Sequence, residues 1–150
     1  MMRPVFVVLL VLSACEPPPP PDPLAPLDER ARELLPLKSV PSFAGLRQEA
    51  ETLIVFVHDE ADAPAVLAIV PDVEVRTRPR RDDLPLTNSA IADDAWVDGM
   101  VLFDVDEVRR YLVFGLMKAS AIVPLQEKLE ALRVPVDETL IRIERPFVAR

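Results

Sequence analysis

Two stretches of this chain run through the same succession of residue patterns, and that duplication limits the fold more than any other feature. The first, Phe43 to Pro79, holds a β-branched apolar segment (Leu53 to Val57), then Asp59 and Asp62 in position to cap a helix. An alanine-rich stretch to Val70 and an alternating segment from Val73 to Arg78 complete it. The second, Met100 to Pro146, repeats that order, and laying Glu51–His58 over Arg109–Leu116 sets Val55 on Val113 and Phe56 on Phe114. Both copies close on Arg-Pro, at Arg78-Pro79 and at Arg145-Pro146.

The second copy spells out the unit. Met100 to Leu116 reads as a hairpin turning near Asp106 and Glu107. Leu125, Leu129 and Leu132 then fall on one helical face, with Glu127, Lys128 and Glu130 away from it and Pro124 in the first turn. Thr139 to Glu144 alternates as a strand, Leu140 with Arg142 and Ile141 with Ile143, which fits a sheet covered on one side by helices. The expected fold is α+β: two copies of a β-hairpin–helix–strand unit, residues 43–79 and 100–146, with helices packed on antiparallel or mixed sheet. Each helical crossover between parallel strands should be right-handed.

Upstream of the repeats lies a different kind of sequence. Arg3 precedes an unbroken apolar run from Val5 to Leu12, followed by the small residues Ser13 and Ala14 and then by Cys15, the one cysteine. This is the layout of an export signal. Eight apolar residues span about 12 Å as a helix, against the ~30 Å of a bilayer core. The quartet Leu12-Ser13-Ala14-Cys15 resembles the bacterial lipobox. That resemblance implies cleavage between Ala14 and Cys15, acylation of Cys15, and a protein held by lipid in the bacterial cell envelope, on the periplasmic or outer-membrane side. Residues 1–14 are then a signal peptide and 15–40 a linker; its prolines, dense from Pro17 to Pro26, favour an extended spacer. A short helix from Leu27 to Leu35, capped by Asp28, sits within that linker, and the folded domain is expected over 41–150.

Loss of residues 1–14 removes only Arg3 from the charged side chains, leaving 16 basic and 25 acidic groups and a net charge of −9. That balance speaks against nonspecific nucleic-acid binding. Half of the residues are hydrophobic, enough for a core and too many for a disordered chain.

Catalytic chemistry finds little support. Nucleophilic hydrolysis needs a nucleophile, a base and an orienting acid, yet there is one histidine, His58, and the one cysteine is assigned to the anchor. His58 is read as a strand-end side chain bonded locally. No cofactor is expected, and no metal site from histidine and cysteine clusters. Asp104, Asp106 and Glu107, with Asp93, Asp94 and Asp98 upstream, lack the EF-hand spacing and are read as acidic turns. Two features remain as a candidate interaction surface: the run Arg76, Arg78, Arg80 and Arg81, and Trp96, the one tryptophan. The arginines suit anionic headgroups, an acidic partner, or a charged edge strand paired with nearby acids. Trp96 falls in a connecting piece, Leu84 to Gly99, where Thr87, Asn88 or Ser89 is placed to cap a short helix packed over the sheet.

The order of elements from Phe43 to Glu144, with Phe43-Ala44-Gly45 opening one hairpin and Phe103-Asp104-Val105 in the other, resembles the duplicated modules in pro-regions of bacterial α-lytic-type serine proteases. The resemblance implies a module that helps a protease fold and inhibits it. No protease sequence follows within these 150 residues, so it transfers the fold and no binding residues. The functional expectation is a membrane-anchored, non-catalytic binding or structural module with an envelope protein as partner; the alternative is an inhibitor or folding helper of a secreted serine protease.

Overall fold

The computed structural model describes residues 17–20, 22, 24, 26–82, 84–85 and 94–147. The signal segment with Ala14 and Cys15, and the proposed caps Thr87, Asn88 and Ser89, lie outside the described residues. An antiparallel hairpin, β1 (Phe43–Glu49) and β2 (Thr52–Val57), leads through helix α2 (Ala63–Ile69) to β3 (Glu74–Thr77), which pairs parallel to β2. The same path recurs in β4 (Met100–Asp106), β5 (Tyr111–Leu116), helix α3 (Ile122–Ala131) and β6 (Thr139–Ile143). The result is an α+β fold with two three-stranded mixed sheets, ordered β1-β2-β3 and β4-β5-β6.

The duplication extends to single hydrogen bonds. A register shift sits between Phe43 and Gly45 in β1 and between Met100 and Leu102 in β4. The chain enters the hairpins through Phe43 N–H to Val40 O and Met100 N–H to Val97 O. It leaves them through His58 N–H to Ser42 O and Met117 N–H to Gly99 O. These equivalences correct the sequence alignment by one residue. Val55 faces Leu46 and Phe114 faces Phe103, so Val55 corresponds to Phe114 and Phe56 to Gly115. A slip of one in a strand exchanges the two faces of the sheet, so the correction matters. The Arg-Pro closures are likewise out of step: Arg78 and Glu144 are the counterparts, each donating its N–H to the end of its central strand, Val57 O and Leu116 O.

One contiguous core joins both units. Val66 and Val70 from the region of α2, and Ile122, Leu125 and Leu129 from α3, pack with Val55, Val57, Leu112, Phe114 and Ile141. The helix expected in a linker belongs to this core. In α1 (Glu29–Leu34), Asp28 caps Ala31 N–H at 2.7 Å, and Leu27, Ala31, Leu34 and Leu37 are buried. Asp28 also accepts from Ala119 N–H at 3.2 Å in the second unit. The buried core therefore takes in Leu27 to Leu37, from the segment read as a linker, because those leucines have their partners in the domain. Both β1, at Gly45, and the 3-10 turn Leu35–Ser39 lie against β6, where Leu140 and Ile141 are both buried although they alternate along the strand.

The seam between units is polar as well as apolar. On α3, the Gln126 side chain accepts from Gln48 N–H (2.7 Å) and donates to Gln48 O (2.9 Å), covering the outer edge of β1 as a neighbouring strand would.

Candidate functional site

The arginine run is split among different tasks. Arg76 pairs with Glu74 (2.6 Å) and Glu49 (3.2 Å) across the face of the first sheet. Arg78 turns inward. Its guanidinium donates to Ala44 O (3.0 Å), Thr139 O (3.1 Å), Asp137 O (2.9 Å) and Val136 O (3.4 Å), and lies over the rings of Phe56 and Tyr111, 5.1 and 4.9 Å from their centroids. Burial holds its pKa below the usual arginine value, and repulsion from Arg81 and Arg47 adds to that against the opposing pull of Tyr111 and Asp137. Arg81 is only 6% exposed, donating to Arg110 O (3.1 Å) and Asp137 (2.6 Å). Arg78 and Arg81 thus tie the first unit to the second and are not a surface patch. Among the described residues, Arg80 has no hydrogen-bond or ion-pair partner for its guanidinium and is exposed.

Beside Arg78 opens a cleft of about 700 Å³ between the first sheet and α3. Phe56, Leu129, Val134 and Ile141 give it apolar walls; Arg47, Arg78 and Arg133 supply positive charge, and Glu127 and Glu130 negative charge. A second chamber of about 420 Å³, lined by Leu84, Pro79, Arg80 and Arg81, shares Phe56, Arg78 and Val136 with the first. A cleft of this size, with apolar walls and polar groups in near balance, can hold a ligand.

Strand alternation puts Arg47 on the same face as Phe56, since Gly45 opposes Phe56 and Arg47 opposes Ile54. Its Nε is buried without a hydrogen-bond partner, although Glu49 Oε1 lies 3.4 Å away. That separation counts as an ion pair but lacks hydrogen-bonding geometry, so the donor stays unmet. Arg133 closes α3. Val134 N–H bonds Leu129 O and Arg133 N–H bonds Glu130 O, both at 2.9 Å, a Schellman ending with Arg133 at φ 59°, where glycine is usual. Among the described residues its guanidinium has no partner.

Neither Arg47 nor Arg133 was singled out from the sequence. Alternation in Gly45-Leu46-Arg47-Gln48-Glu49 carried the signal for Arg47, and the absence of glycine after Leu132 carried the one for Arg133.

Trp96 is 49% exposed, and its backbone carbonyl accepts from Lys128 Nζ at 2.8 Å. His58 is a strand-end side chain with both ring nitrogens engaged, Nδ1 with Arg78 O (2.9 Å) and Nε2 with Tyr111 OH (3.4 Å). A carbonyl only accepts, so Nδ1 carries the proton and Nε2 accepts from the phenol. The acids diverge. Asp104 bonds Val105 N–H, Asp98 pairs with Lys118, and Asp106 takes Val108 N–H, Arg109 N–H and Arg109 Nε. Burial works against the charge on Asp106, but these donors outweigh it and hold its pKa below the usual carboxylate value. Among the described residues there is no group of three His, Cys, Asp or Glu able to hold a metal ion, and no helix long and apolar enough to cross a membrane.

No protein family, curated protein or solved structure was found to match the chain.

Proposed function

We propose that this protein is a lipid-anchored module of the bacterial cell envelope that binds a partner non-catalytically, with the cleft between the first sheet and α3 as its binding surface. The supporting observation is Arg47, whose Nε lies 3.4 Å from Glu49 Oε1 yet has no hydrogen-bond partner, beside the apolar wall of Phe56, Leu129 and Ile141. Arginine stays protonated at any physiological pH, so such groups hold a ligand and do not move protons. His58, the residue best suited to proton transfer, is held at the seam by Arg78 O and Tyr111 OH. The anchor rests on Leu12-Ser13-Ala14-Cys15, and the prolines after it would carry the cleft clear of the lipid surface.

The test is photo-crosslinking in intact envelopes from a residue placed at Val123 on the cleft or at Val108 in the far hairpin turn, both exposed. A discrete adduct from Val123 alone, lost when Cys15→Ala releases the protein from the membrane, is the expected result. Equal labelling from both positions, or membrane retention of Cys15→Ala, would overturn the proposal. The inhibitor reading draws on the duplicated architecture only, and a shared fold does not carry a function.

A further inference from the structure

The charges of the two chambers narrow the ligand, and this step rests on the cleft being the binding surface. Three arginines of the groove keep donors that no described residue satisfies: Arg47, at its Nε 3.4 Å from Glu49, and Arg133 in the larger chamber, and Arg80 in the smaller, where Asp137 is the one carboxylate of the lining. On a chain with net charge −8 these are a local exception. Arg78, at the wall common to both chambers, directs its donors to four carbonyls, so the free positive charge lies on either side of it.

Two features count against a ligand with one anionic head. A guanidinium without a partner among the described residues stands in each chamber, Arg133 in the larger and Arg80 in the smaller, and a single carboxylate or phosphate cannot serve two places. Glu127 and Glu130 also line the larger chamber, where they would repel a purely anionic surface yet accept from peptide N–H groups. Between the charges, Phe56, Val136, Leu129, Ile141 and Leu84 offer apolar contact along the groove. We infer that the groove takes an extended peptide segment of a partner protein in which Asp or Glu alternates with apolar side chains, the carboxylates reaching Arg47, Arg133 and Arg80.

Arg133 takes the left-handed position that glycine usually fills at a helix end, at a cost in free energy that glycine would not incur; Ala50 and Arg110 take the same conformation at turns. Arg47 is held to its place by the register of β1 with β2. Guanidinium groups suit carboxylates because they can donate two parallel hydrogen bonds.

The experiment titrates the full chain, purified in detergent micelles, with three blocked heptapeptides while following the arginine Nε–H resonances by NMR. The probes are acetyl-Glu-Leu-Asp-Phe-Glu-Val-Glu-amide, its Gln/Asn isostere, and a version with Ser at the apolar positions. The acidic apolar peptide should bind at least about tenfold more tightly than either control and shift the Arg47 Nε–H signal. Arg47→Gln, Arg133→Gln and Arg80→Gln should each weaken it several-fold while leaving the isostere unaffected. Equal binding of the isostere would overturn the acidic ligand class and leave the cleft as binding surface intact. Equal binding of the Ser version would make the site a mere charge patch and overturn the inference. Dodecanoate is titrated as a fourth probe, and its binding at the cleft with no response to any peptide would overturn the inference and replace a protein partner by a lipid. No response to any probe would overturn both the inference and the reading beneath it.

Discussion

Gly45 faces Phe56 across the first hairpin, and at the corresponding place in the second hairpin Leu102 faces Gly115. The large and small partners have changed strands. In the first unit the space at Gly45 is taken by β6, whose Ile141 N and Leu140 Cα lie 3.4 and 3.5 Å from where a Cβ would stand. In the second, a Cβ on Gly115 would come within 2.8 Å of Leu102 Cβ and 2.9 Å of Glu144 Cβ. Those atoms sit next to backbone and cannot swing aside, so Gly115→Ala should cost about 1–3 kcal/mol. Urea unfolding would read it, and an unchanged midpoint would contradict the packing described. Leu102→Gly in the same chain removes the Cβ that stands 2.8 Å away, so the double variant should lose less stability than the two single losses added together, since the two positions share one contact.

This exchange also shows what the sequence could and could not reveal. The unit and its order were legible because β-branched runs, capping aspartates and the Leu125/Leu129 spacing are local signals. The register was not. Val55-Phe56 and Val113-Phe114 are identical dipeptides, but Phe56 lines the cleft while Phe114 is buried in the core. The second turn, Glu107 to Arg110, is two residues longer than the first, Ala50 and Glu51, and the true equivalence of β2 with β5 lies one residue from the dipeptide match; only pairing with β1 and β4 reveals it. The arginine run misled for a related reason: alternation tells which face Arg78 takes, not that carbonyls from Ala44 and Thr139 wait there.

Arg78→Lys should destabilise the fold by about 2–4 kcal/mol, although charge is conserved. A lysine ammonium has neither the planar fork that reaches Thr139 O and Asp137 O nor the flat face that lies between Phe56 and Tyr111. Because those carbonyls belong to the second unit, amide exchange around Val136 to Thr139 should speed up more than exchange within α2. Uniform acceleration in both places would argue against a seam role.

Removing the Gln126 carboxamide with Gln126→Ala should cost about 1–2 kcal/mol, the worth of two hydrogen bonds whose partners regain partial access to water. The direct reading is hydrogen exchange at Gln48, whose N–H now bonds Gln126 Oε1. Protection at Gln48 that survives the substitution would mean another group covers this edge.

Acid should weaken the protein through His58 before its carboxylates titrate. Burial is the main cause that keeps the ring's pKa below 6.5, joined by repulsion from Arg80, Arg78 and Arg109 against the favourable carbonyl of Arg78. The unfolded chain therefore takes up the proton first as pH falls through about 6.5. The contribution of neutral His58 is complete above that value and declines below it until the folded form also protonates, with a slope of at most about 1.4 kcal/mol per pH unit. His58→Asn removes the titration while keeping a side-chain amide near Arg78 O. Between about pH 7.5 and about pH 5.5 the wild-type protein should lose stability relative to this variant, and parallel curves would show that His58 is solvated in the folded state.

Arg133→Gly sets stability against binding. Glycine occupies the left-handed position at a helix end without the strain of a Cβ, so the variant should be more stable by about 0.5–1 kcal/mol. The Schellman bonds from Val134 N–H and Arg133 N–H are backbone bonds and should survive. If the Arg133 side chain is kept for its place in the cleft, the same change should weaken the acidic heptapeptide several-fold. A variant that gains stability and keeps full affinity would show that this arginine is incidental to the groove. One that loses stability would mean that its side chain holds α3 in place, and the strain argument for Arg133 would fall with it.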